Sequence, residues 1–168
     1  MTAVAGGTKG TGSWLPGVED ASSFLDGLAA LHPEYAAALR AVEAELWAQT
    51  AVDPVTLELC RLRIAQLLRC DGALAERTPA AVAAGLDEAL VEVLPRWSTD
   101  DRFDAPTRAA IGYAEQLLVD AQGVTDDHAA SVIAAIGEGG FHVLTYGCGL
   151  FETMQRARLV LGAGGDRP

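Results

Sequence analysis

Positive charge, histidine and cysteine are all scarce in this chain, and each shortage excludes something. Twelve Lys and Arg stand against 23 Asp and Glu, for a net charge of −11. That balance repels phosphates, which argues against nucleic acid or an anionic membrane as partner. No apolar run reaches the ~18 residues needed to span a bilayer. The N-terminus also lacks the basic-then-apolar order of an export signal. Three cysteines, an odd number without such a signal, fit reduced thiols in a cytoplasm. Cys60, Cys70 and Cys148 have no paired-ligand spacing and the three histidines are scattered, so no metal site is expected.

Apolar residues make up 50% of the 168, enough for one domain with a real core. Their period is helical throughout, and no strand-like alternation survives, so the expected class is all-α. Residues 1–19 and 163–168 read as tails, and 20–162 as a single helical domain. Leu25, Leu28, Ala29 and Leu31 form a short stripe ended by Pro33. Tyr35, Leu39, Val42, Leu46 and Trp47 repeat at helical spacing. Asp53-Pro54 is a strong helix start, with Asp as cap and Pro in the first turn. The helix that follows carries Leu57, Ile64 and Leu68 on one side and Leu59 and Leu62 on the other, so it belongs in the centre. A helix opening at Cys70 is expected to end at Gly85, and a short piece from Leu86 to Leu94 to stop at Pro95. Further helices are expected over 104–121, 126–136 and 141–161, with Gly137, Gly139 and Gly140 punctuating the last junction.

The chemistry-bearing residues cluster around Glu58 and Cys70, twelve residues apart. The layout is that of a thiol redox site, an acidic residue on a helix followed by a cysteine opening the next. A second thiol at position 73 would complete it, but Ala73 stands there, and no histidine lies between His32 and His128.

These pieces resemble the carboxymuconolactone decarboxylase superfamily, which includes the alkylhydroperoxidase D-like proteins. The peroxidase branch carries Glu, eleven residues, Cys-x-x-Cys, then His after three residues and again after three more; Glu58 and Cys70 match, while Ala73, Arg77 and Ala81 replace the rest. Leu62, Arg63, Ala65, Gln66 and Leu67 are similar to the family, as is the Leu94-Pro95-Arg96-Trp97 segment. Near the C-terminus Phe151, Arg156 and Leu161-Gly162 fit a second family motif, whose asparagines are here Glu152, Gln155 and Arg158. The resemblance implies a compact multi-helix bundle and a homo-oligomer, most simply a trimer or hexamer. The apolar excess of so small a chain points the same way.

Glu58 lies in the most apolar helix, where a carboxylate must be protonated, paired or facing a wet cavity. It is a candidate acid–base residue or half of a buried ion pair with Arg61, Arg63 or Arg156. Arg61 is also a candidate substrate contact. Cys70, at a helix start, is a candidate nucleophile or an inert buried thiol. Glu152 shares a face with Thr145, Cys148 and Gln155, and Tyr146 lies nearby. A polar stripe on an apolar helix needs partners or a cavity, so these residues are candidates for a small-molecule site, or for a contact with a neighbouring subunit. His142 is the histidine retained as an acid–base candidate; His32 reads as a cap and His128 as exposed.

Three functions are open at this point. The first is a cofactor-independent enzyme on a small organic molecule, with Glu58 and Glu152 or His142 moving protons in a decarboxylation, isomerisation or elimination. The second is a one-cysteine peroxidase using Cys70. The third is a non-catalytic binding or oligomerisation protein.

Overall fold

The computed structural model describes residues 24–161, helices joined by short turns and links with no strand among them. The chain is all-α. Helix α1 (Phe24–Leu31) and α2 (Pro33–Ala48) form a hairpin around His32. Pro33 starts α2 as well as ending α1, because a proline in the first turn gives up an N–H that would have no partner anyway. His32 holds the cap position without a side-chain capping bond. The inner face of α2 is Ala36, Leu39, Glu43, Leu46 and Trp47. Tyr35 and Val42, expected in that stripe, are 59% and 54% exposed.

Helix α3 (Pro54–Leu68) is the centre, as its all-round apolar pattern predicts. Asp53 caps it, accepting from the Thr56 N–H at 2.9 Å. Leu57, Leu59, Leu62 and Ile64 are essentially unexposed. Helices α7 (Ala105–Val119) and α8 (Asp126–Leu161) both pack on α3 and on each other. Helix α3 ends through Arg69 in the left-handed region (φ 56°), with the Cys70 N–H returning to the Ala65 carbonyl. That sharp turn carries the chain back along the helix it has just left.

The segment after Cys70 differs from the single helix expected there. It is two one-turn helices, α4 (Asp71–Ala75) and α5 (Pro79–Ala83), because Pro79 needs an extended residue before it and Thr78 provides one. Gly85 (φ 90°) ends this segment as anticipated. Pro95 continues the chain where a stop was expected: α6 (Glu88–Val93) runs on into a 3₁₀ turn, Leu94–Arg96. The glycine-rich junction is also tighter than expected. Gly137 alone leaves helical geometry (φ 76°, ψ 169°), and α8 resumes at once. At Gly147 the α2–α8 approach is close, since a Cβ there would meet Leu46 Cδ1 at 3.2 Å. Among the described residues no helix is long and apolar enough to cross a membrane. The proposed tails, and the start of the domain at residue 20, lie outside the described residues.

Candidate functional site

Glu58 is fully buried on α3, and its partner is one helical turn away. The Arg61 guanidinium meets it side-on, Nε to Oε2 at 2.8 Å and Nη2 to Oε1 at 2.7 Å. From the other side the Thr78 hydroxyl donates to Oε2 at 3.1 Å and the Thr78 N–H to Oε1 at 3.3 Å. Thr78 sits at the cap position of α5, but its hydroxyl serves Glu58 instead of the helix end. Arg61 also donates from Nη1 to the Ala73 carbonyl and from Nη2 to the Glu76 carbonyl, both at 2.9 Å. A paired carboxylate with four donors is the arrangement in which burial of a charge is tolerated. Of the three arginines the sequence offered, Arg61 is the partner. Arg63 instead pairs with Glu115, which also accepts from Trp97 Nε1 at 2.9 Å. Arg156 pairs with Glu152 at 2.8 Å.

Arg61 forms part of the wall of a cavity of about 240 Å³ between α2, the α4 segment and α8. The apolar part of that wall is Leu25, Leu150, Phe151 and Met154. The polar part is Glu43, Arg61, Glu76, Gln155 and Arg158. Arg158 and Glu76 form a two-pronged ion pair with both contacts at 3.0 Å. Gln155 is 4% exposed and donates from Nε2 to the Arg61 carbonyl at 3.1 Å, while its Oε1 has no donor among the described residues. The amide cannot be turned round, since that would set two oxygens against each other. Glu43 makes no hydrogen bond or ion pair among the described residues. Burial raises its carboxyl above the ordinary carboxylate range, Arg61 opposes the rise, and Glu76 adds to it.

The structure does not gather the sequence candidates into one pocket. Glu58 stands behind Arg61 and not on the cavity wall. Cys70 is unexposed, packed with Ala65, Ala73, Leu74 and Leu159, its Sγ 4.0 Å from the Gln155 carbonyl. It occupies the cap position of a five-residue helix, too short to carry a substantial dipole. Cys60 and Cys148 are buried in the core. Burial pushes the Cys60 thiol well up and the Cys148 thiol up to about 12.

Glu152, Thr145 and Cys148 line a different cavity, of about 210 Å³, with Ile64, Leu117 and Leu118. The expected stripe splits because a step of three residues falls about 60° short of a full turn, so Gln155 rotates onto the neighbouring face. Thr145 is already bonded, to the Tyr113 hydroxyl at 2.8 Å and the Phe141 carbonyl at 2.7 Å. Tyr146 is 80% exposed and His142 is exposed too, its ring 6.1 Å from that of Phe141. So neither Glu152 nor His142 faces Glu58, since α8 turns each of them away from the Arg61 cavity.

Sequence reasoning missed Glu43, Glu76 and Arg158. Glu43 was within reach: it lies four residues after Leu39 and four before Trp47, on the buried face of its helix. Glu76 and Arg158 are separated by 82 residues, and no local pattern announces their contact.

Comparison with known proteins bears on the same region. The profile of the Carboxymuconolactone decarboxylase family matches residues 33–116, from α2 through most of α7. Two Mycobacterium tuberculosis proteins are 31% identical over 120 residues: Uncharacterized protein MT2376 of strain CDC 1551 / Oshkosh and Uncharacterized protein Rv2313c of strain H37Rv. The match takes in 70% of this chain but only 40% of each of these relatives. Among solved structures, the Agrobacterium tumefaciens protein of unknown function ATU0492, put forward as an antioxidant defence protein AhpD, superposes with a TM-score of 0.72 at 20% identity. The superposition covers 84% of this chain and 95% of that one, and establishes a shared fold.

Proposed function

Because the chain belongs to the carboxymuconolactone decarboxylase family, we propose that it is a cofactor-independent enzyme that moves a proton on a small organic molecule held in the Arg61 cavity, with Glu43 as the acid–base group. The observation that carries this reading is Glu43 itself. Among the described residues it is a carboxyl without a bonded partner, raised by burial, on the wall of a cavity with one apolar side. A carboxyl shifted upward is closer to the pKa that serves both halves of a proton transfer near neutral pH. In an isomerisation it would take a proton from one carbon and return it to another. In a decarboxylation or elimination it would supply or remove the proton that balances the departing group. Arg61 forms part of the wall that confines the substrate, and Glu58 is a positioning residue that holds Arg61.

The one-cysteine peroxidase gains no support. Peroxide must reach a thiolate, and Cys70 is closed off among Ala65, Ala73 and Leu159. The reading also includes a homo-oligomer, a trimer or hexamer, that would cover Tyr146, Val119 and Val160, which are 80%, 75% and 67% exposed. A light-scattering mass of one 17.5 kDa chain would remove that part.

The enzymatic test needs no knowledge of the substrate. The protein is incubated in D₂O with a panel of small lactones, enones, keto acids and amines, and deuterium wash-in is followed by proton NMR. Wash-in is expected to survive Cys70→Ser and to fall by about 10²-fold or more in Glu43→Gln. Exchange that survives Glu43→Gln, or vanishes in Cys70→Ser, overturns the assignment.

A further inference from the structure

The charges around the cavity select among possible ligands. Both guanidiniums on its wall are already matched. Arg61 is held by Glu58 and by the Ala73 and Glu76 carbonyls, which together take four of its five N–H groups. Arg158 lies in its two-pronged pair with the Glu76 carboxylate. Among the described residues two guanidiniums therefore meet three carboxylates, Glu58, Glu76 and Glu43, and the surplus is negative. The surplus carboxylate is Glu43. The nearest other cation on its own helix, Arg40, is paired outward with Asp26 at 2.6 Å. The same wall holds a second acceptor without a donor, Gln155 Oε1, on a side chain 96% buried by its 4% exposure.

An anionic ligand would meet the surplus carboxylate here, with only the remaining Arg61 N–H and the Arg158 N–H groups that Glu76 does not take as donors, on guanidiniums whose charge is already matched. A neutral ligand would leave the surplus charge uncompensated. A cationic donor would meet Glu43, with Gln155 on the wall of the same cavity, and its organic body would lie on Leu150, Phe151 and Met154.

We propose that the ligand of this cavity is a small apolar molecule bearing a protonated amine, which Glu43 pairs with and Gln155 Oε1 receives as a second hydrogen-bond acceptor. The proposal rests on the reading that this cavity is the site, and it specifies the chemical class that the site takes.

The test is a direct binding comparison of three isosteres by calorimetry and ligand-observed NMR on the full chain: 2-phenylethylamine, 2-phenylethanol and 3-phenylpropionate. The amine is expected to bind at least about tenfold more tightly than either of the others, a difference of ~1.4 kcal/mol. The preference should disappear in Glu43→Gln and weaken in Gln155→Leu, while Cys70→Ser leaves it intact. Circular dichroism of each variant separates loss of the site from loss of the fold. Equal or tighter binding of the carboxylate overturns the proposal. So does amine selectivity that persists in Glu43→Gln, or failure of the amine to bind at millimolar concentration. Binding is read without turnover, so amine selectivity without deuterium wash-in refutes the enzymatic reading alone. Wash-in confined to lactones or keto acids refutes the amine assignment alone.

Discussion

Replacing Glu58 by Gln keeps the shape of the side chain and removes its charge. The consequence can be worked from the contacts. The carboxylate accepts two N–H groups from Arg61 and two donors from Thr78. An amide has one acceptor oxygen, and its NH₂ would be pointed at donors. The Arg61 charge would then stay inside, 8% exposed, with backbone carbonyls and at most one amide oxygen as partners and no anion. Breaking a buried pair in this way costs ~3–5 kcal/mol. For a domain of this size each kcal/mol lowers the melting temperature by about 2–4 °C, so the fall should be on the order of 10 °C. The assay is a thermal melt by circular dichroism, paired with a urea titration. The double variant Glu58→Gln, Arg61→Met should recover much of the loss, because an apolar replacement of the whole pair removes the stranded charge. A single variant melting within about 1 °C of wild type, on the scale just given, would refute this account. Glu58 would then be acting in the chemistry after all. A double variant no more stable than the single one would refute it as well.

Other expectations follow from separate features. Glu43 titrates above its ordinary value of 4.5 because it is half-buried. Its contribution to stability is therefore present below the unfolded value and lost as pH rises through the folded one. Glu43→Gln should thus be more stable than wild type at pH 7, with the difference closing by about pH 4; urea midpoints at the two pH values check this, and a gap that widens on acidification would contradict it. Cys148, at about 12, is only about one part in 10⁵ thiolate at pH 7, so it and Cys60 should react with a disulfide reagent at the rate of unfolding. Rapid stoichiometric labelling of the native protein would show those thiols to be accessible. Gly137 has backbone angles that are nearly exclusive to glycine, and a Cβ there would have nothing within 4 Å. Gly137→Ala should therefore cost ~1–3 kcal/mol through backbone strain alone, and an unchanged urea midpoint would show that the kink relaxes.

What could be read from the sequence was what local pattern controls. The Asp53-Pro54 start and the apolar circumference of α3 follow from capping and burial, and both place Glu58 inside from local pattern alone. A charge inside needs a partner, and Arg61 was among the three offered. Pattern could not say which arginine would turn inward, because Arg61 and Arg63 differ only in the face they share with their neighbours. The stripe on α8 was misassigned by a fraction of a turn, enough to send Glu152 and Gln155 to different cavities. The Tyr35 and Val42 pattern drew attention to the wrong side of α2 and hid Glu43. The Glu76–Arg158 pair forms only when α8 returns across the α4 segment, and such contacts leave no trace at helical spacing.

The Arg61 clamp has a consequence for motion. Residues 71–83 consist of two one-turn helices and an extended link, a composition that alone would fray in isolation. Here the Ala73 and Glu76 carbonyls are held by a side chain of the central helix, and Thr78 is held by Glu58. The segment therefore opens only when that ion pair opens. Its amides should exchange with solvent on the timescale of the α3 core and not on that of a surface loop, and proteases should find no cleavable strand in it.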